Sequence, residues 1–384
     1  MNEIEVIICL ILLFMGVPDF CRWLGRPTLV YPAFVTFGLL LAPIAQHDVV
    51  LMLEQAGEVG FLLLLFEVGL EIDTPALRVF LPVLRRSIWW ALLQYPVIFA
   101  LAQLAGLQPL GCFIACAAFT GCSVGMGYPG WKHHPDLPPK SRTLILHTMV
   151  SLEIMAIVLL AGESAVYENG FSWLLFLKLG GIAVVVFLIS RFATHLESLF
   201  GFILRTTTHW RMHLVVLLVL VICAFGARLG LSATKTAFFL GLFLSRIHHE
   251  GQPLDAFIAP ISQRFLIPVF FFSLGLQVRW SVLLSTTGLV AVGAALLLFG
   301  WRWVINRRIL PLGGGDKSFL LLCPNLTIVA LAASILMKNS PMVQSGSWVL
   351  ITGLFISIPA ILLLPKPTAA EKPKAGSGDP VPAH

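Results

Sequence analysis

The stretch HTMVSLEIMAIVLLAG, residues 147–162, carries one acid, Glu153, at the middle of a run that otherwise belongs in hydrocarbon. A lone carboxylate is costly to bury as a bare ion, so such a group holds a proton or gathers a counter-cation. An ionisable group in that setting is a functional candidate. The other reading is a protonated structural acid bonded to a neighbouring helix. Thr148 and Ser151 supply hydroxyl oxygens close by in the chain. Two further apolar stretches offer oxygen ligands of the same kind. AAFTGCSVGMGYPG (117–130) holds Thr120 and Ser123, and LLCPNLTIVALA (321–332) holds Asn325 and Thr327.

The remaining ionisable residues in apolar surroundings are secondary candidates. In LLLLFEVGLEID (62–73), Glu67 lies inside the run and Glu71 and Asp73 at its mouth. An acid at a helix centre costs about 2.5–3.5 kcal/mol in lipid, so Glu67 is expected to face protein or water. It pairs with a basic group, shapes a polar funnel, or serves structure alone. Lys235, in GLSATKTAFFLGLFL (230–244), stands near a span end and can snorkel to water, as can Lys178. WKHHPD and RIHHEG look like metal clusters but lack a two-histidine, one-turn spacing with a third ligand, and read as solvated loops. No Gly-rich phosphate loop, nucleophile elbow or HExxH helix occurs. Neither an enzyme activity nor a cofactor is expected.

The elements that hold these residues are membrane helices. The chain is 58% hydrophobic and only 11% charged, against about 25% charged residues in a soluble domain. Apolar runs near the ~20-residue bilayer length recur from end to end, without the short alternating segments of a β-barrel. Thirteen spans fit, at roughly 4–20, 28–44, 54–71, 87–105, 109–128, 144–163, 171–190, 212–229, 232–247, 261–277, 282–304, 318–338 and 342–364. The first has acidic flanks and no cleavage signature, so it is read as a span and not a signal peptide.

Loop charge tests the count. The odd-numbered connections and the C-terminal tail hold twenty of the 25 Lys and Arg residues, and the even-numbered ones only Arg228, Arg279 and Lys338. Positive loops stay cytoplasmic, which puts the N-terminus outside and the C-terminus inside, in the inner membrane of a cell. The +6 net charge is thus a topology signal, not a nucleic-acid footprint. The seven cysteines read as small apolar packing residues.

Two of the spans are interrupted. Gly121, Gly125, Gly127, Pro129 and Gly130 crowd the fifth, and Pro324 removes an amide donor inside the twelfth. Unwound backbone at membrane depth survives only in protein or beside a wet cavity. The two breaks lie seven spans apart, and an odd offset inverts topology. Paired broken helices in two inverted halves point to a transporter binding site, with opposed half-helix dipoles facing its contents. Frequent glycine for helix packing is the bland alternative.

Four stretches resemble the monovalent cation:proton antiporter-2 family, which includes Kef-type potassium efflux proteins and sodium/proton antiporters. They are RWLGRPTLVYPAFVTFGLLLAP, AGEVGFLLLLFEVGLEID, GLSATKTAFFLGLFLS and FLIPVFFFSLGLQV, in family order. The resemblance implies an all-α inverted-repeat exchanger with two crossing broken helices, at about 109–128 and 318–338. It implies a dimerisation domain from spans 1–3 (residues 1–77) and 8–10 (212–280). A mobile core would come from spans 4–6 (78–170) and 11–13 (281–365). Span 7 and a linker fill 171–211, and 366–384 form a disordered cytoplasmic tail. Glu153 stands where the family has its ion-binding acid, there an Asp preceded by a polar residue and here preceded by Leu152. Span 11, taken as 282–304, shows no mid-span charge where some electrogenic members have a lysine. The implied activity is exchange of Na+ or K+ for H+ by a homodimer in lipid. The second reading is a degenerate exchanger used as a membrane sensor, channel or effector subunit.

Overall fold

The computed structural model describes residues 3–71, 77–132, 134, 137–169, 210–228, 233–245, 248–249, 252–313, 315–338 and 342–365. Span 171–190, with Lys178, the connection that follows it, Asp73, and the tail beyond residue 365 lie outside them. Within them each of the other twelve expected spans has a helix, so the polytopic helical class holds. The first half comprises α1 (Glu3–Trp23), α2 (Val30–Leu41), α3 (His47–Glu71), α4 (Leu77–Leu92), α5 (Tyr95–Leu104), α6 (Pro109–Thr120), α7 (Val124–Lys132) and α8 (Pro139–Asn169). The second comprises α9 (Arg211–Arg228), α10 (Ala233–Leu244), α11 (Leu254–Ile261), α12 (Ile267–Gln277), α13 (Trp280–Leu283), α14 (Thr286–Val304), α15 (Leu326–Met337) and α16 (Val343–Leu363). A π-helical turn, Ser262–Leu266, joins α11 to α12. Within the RIHHEG stretch, His248 and His249 pair antiparallel with Pro253 and Gln252.

The helices pack in two groups. In one, α3 lies on α10 and α12, α2 on α12, and α9 on α10. In the other, α6 and α8 pack together and on α15, α16 covers α14 and α15, and α4 and α5 close the edge. The first group is knit by backbone contact. A Cβ on Gly38 of α2 would collide with the Phe272 carbonyl of α12, and one on Gly275 with that of Val35. The α3–α10 crossing repeats this, with Gly69 against Phe238 and Gly241 against Phe66. Exchanging spans 2 and 3 for 9 and 10 turns one crossing into the other, as inverted repeats require.

Two expectations about helix limits change. Span 4, expected as one helix, breaks at Leu93–Gln94 between α4 and α5. Pro96 cannot donate to the Leu92 carbonyl and its ring crowds that turn. The next carbonyl along, that of Leu93, accepts the Trp301 indole N–H at 2.8 Å. Arg302, read as a loop charge, is buried in the last turn of α14, which continues as a π turn to Ile309.

Arg26, also read as a connection charge, is buried too. It donates to the carbonyls of Leu362 (2.9 Å), Leu364 and Pro365 (3.2 Å), a cation on the C-terminus of α16. It fastens one helix group to the other at the end that carries the basic connections.

Candidate ion site at the crossing of two broken helices

At twelve residues each, α6 and α15 are only about 18 Å long, too short for a ~30 Å hydrocarbon core. Each is completed by a second segment: α7 after the extended stretch Gly121–Ser123, and the 3-10 turn Ser318–Leu322 before Cys323–Asn325. The two breaks touch. The Ser123 amide donates to the Pro324 carbonyl at 2.9 Å. Pro324 opens the α15 end, and its carbonyl, outside any helical ladder, takes an amide that Gly121–Ser123 leaves outside its own.

Glu153 faces this crossing from α8 and is fully buried, with 0% exposure. Its Oε2 accepts the Val124 amide at 3.0 Å, at the N-terminus of α7. The half-helix dipole thus favours negative charge where the carboxyl sits. Met149 and Ala156, one turn on either side of Glu153, press on Gly127 and Gly121, so a single face of α8 lies along the break. A cavity of about 710 Å³ opens beside the start of α7. It runs from Arg22, Pro27 and Arg264 to Gly125 and Met126, one residue past the amide that holds Glu153.

The opposite dipole ends are also answered. Arg302, 2% exposed, donates from Nη2 to the Phe119 carbonyl at the C-terminus of α6, and from Nε to Gln94 Oε1 at 2.7 Å. Gln94 is held in turn through its own amide N–H to the Trp90 carbonyl at 2.8 Å. Asn325 donates to the Ala118 (3.2 Å) and Phe119 (3.3 Å) carbonyls and accepts from Ser357 at 3.1 Å. A buried cation and a buried amide therefore close the first half of the α6–α7 broken helix, and a buried carboxyl closes its second half.

The structure gathers Glu153, Ser123 and Asn325 at the crossing. Thr120 ends α6 beside them, its hydroxyl given to the Cys116 carbonyl at 2.7 Å. Thr327 is buried in the first turn of α15, with no hydrogen-bond partner for its hydroxyl among the described residues. Ser151, two residues from Glu153, is turned by about 200° around α8 and lies away from the face that meets the break. Glu67, 5% exposed, is enclosed in protein, hydrogen-bonded by Ser262 and by Gln263 (3.1 Å) at the π turn. Lys235 belongs to α10, with its side chain outside the described residues. Arg302 and Gln94 are the members that the sequence reading missed. Among the described residues no three His, Cys, Asp or Glu side chains cluster as a metal site.

Inverted helix pairs, two broken helices in contact and an acid at their crossing define the class: a secondary active ion transporter of the membrane. The family described as sodium/hydrogen exchanger, transmembrane, matches residues 9–364, and the chain belongs to that family. It is a multi-pass membrane protein that exchanges a cation for protons. The family differs in name from the one the motifs resemble, and both are monovalent cation:proton antiporters. Among solved structures the chain is similar to the sodium proton antiporter MjNhaP1 from Methanocaldococcus jannaschii at pH 8. The TM-score is 0.66, with 16% identity over 94% of this chain and 96% of that one. At that identity the likeness is one of fold. No curated protein matches the chain.

Proposed function

We propose that Glu153 is the shared carrier of an electroneutral exchange of one Na+ or K+ for one H+. The observation that supports this is the contact of its carboxyl with the α7 N-terminus, whose next residues, Gly125 and Met126, line the large cavity. Val124 holds one oxygen in place, and the carboxyl takes either a proton or a cation. Ser123, Thr120, Asn325 and Thr327 line the crossing as oxygen donors; Ser151 supports the helix from its far side. Glu67 and Gln263 form the wall of a cytoplasmic funnel. One carboxylate swapping one H+ for one monovalent cation moves no net charge. Arg302 adds a charge but no proton traffic, because a guanidinium stays protonated through the cycle.

The protein works as a homodimer through spans 1–3 and 8–10, while spans 4–6 and 11–13 move. Ile8, Leu12 and Met15 form an exposed apolar row at helical spacing on α1, which supports a helix-packing face there. It sits in the inner membrane with the N-terminus outside and the C-terminus in the cytoplasm.

The test is proton flux in proteoliposomes with Na+, K+ and Li+ supplied separately. Wild type is expected to exchange at least one of them. Glu153→Gln is expected to abolish exchange in a folded protein, since a neutral amide is cheaper to bury than a charge. Glu153→Asp is expected to keep part of it. Robust exchange by the Gln variant would overturn the assignment. Silence of the wild type with all three cations would favour the sensor, channel or effector reading.

A further inference from the structure

We propose that the ion pair between Lys338 and Glu58 is a latch that holds the outer side of this exchanger closed. The proposal rests on the alternating-access reading above and concerns residues outside the crossing.

The two helix groups meet differently at their two ends. At the inner end they part around the cavity of about 710 Å³. At the outer end α3 and α12 close against α15, leaving a space of only about 30 Å³ bordered by Gly57, Phe61, Ser273 and Met337. Gly57 lets α3 settle on the Ser273 hydroxyl with no side chain between them. Above this seam Lys338 Nζ lies 3.2 Å from Glu58 Oε1. Lys338 caps the C-terminus of α15, in the group that carries Glu153; Glu58 is on α3, in the other group. A seam that opens outward must separate these two residues.

Their side chains are 54% and 59% exposed. An exposed pair contributes little and is screened by salt, which suits a contact broken in every cycle. A buried pair would resist opening too strongly. The Lys338 charge also answers the C-terminal dipole of α15. With the latch made, the seam is shut and the cavity faces the cytoplasm.

The test reads the inward-facing population through Thr28→Cys, a position lining the inner cavity. Of the native cysteines, Cys9 is half-buried and the other six are buried, so an impermeant maleimide reports the introduced thiol. In that background Lys338→Glu and Glu58→Lys each place like charges across the seam. Each is expected to shift the inward–outward equilibrium about two- to fivefold toward the outward side, the range an exposed pair commands, and so to slow labelling from the cytoplasmic side. The double swap Glu58→Lys with Lys338→Glu is expected to restore the wild-type rate. Unchanged labelling in both single variants would overturn the latch, and so would a double variant as slow as the singles. Labelling only from the outer face would overturn the proposed orientation, while the charge-swap comparison would still decide the latch.

Discussion

Glu153 and Arg302 bring opposite charges into one crossing, and only the first could be picked out of the sequence. Glu153 stands alone in apolar residues, so its cost in lipid marks it. Arg302 falls among Trp301, Asn306, Arg307 and Arg308 and has the appearance of a loop cluster; its burial comes from the π turn that carries α14 onward. Asn325 was visible beside a proline, but its use as a cap depends on carbonyls that α6 leaves unpaired, two hundred residues earlier in the chain. Arg302→Gln is expected to orphan the Gln94 amide oxygen and to leave the Phe119 carbonyl with Asn325 alone. The loss should be about 1–3 kcal/mol, read as a lower Tm in detergent. Glu67→Gln is expected to change apparent cation affinity modestly and leave exchange intact. Its partners, Ser262 and Gln263, can bond an amide as they bond an acid. Loss of exchange in this variant would promote Glu67 from funnel wall to carrier.

The order of elements was legible because hydropathy and loop charge alternate together; the interruptions were legible where glycine or proline made them. Pro96 was equally visible in span 4, but what its break does was not, since the Leu93 carbonyl beside it is taken by Trp301 of α14, about two hundred residues on. The glycines of α2, α3, α10 and α12 looked like ordinary small residues of membrane helices. Their pairing across two related crossings depends on residues more than a hundred and fifty positions apart. Gly38→Leu and Gly241→Leu are expected to force those helices apart and cost about 1–3 kcal/mol or more each. Fluorescence-detected size exclusion should show the loss as aggregation. Leucine at Gly16, where a Cβ meets nothing within 4 Å, should leave the profile unchanged.

At the scale of the molecule, an exchange without net charge is expected to give no current in a voltage-clamped bilayer at saturating cation. A sustained current would reject electroneutrality and call for a second titrating group, with Glu67 and Lys235 the first to test. Cross-linking in lipid is expected to recover a dimer; recovery of monomer alone would count against the proposed assembly. The paired crossings carry one more consequence, for how the protein is made. In each, one helix belongs to the first half of the chain and its partner to the second: α2 waits for α12, and α3 for α10. During synthesis α2 and α3 must stay in the bilayer with those faces uncovered until the ribosome has passed Gln277. The two halves interlock like clasped hands, so neither is a folding unit by itself. Produced separately, each half should be degraded, and produced together they should protect one another.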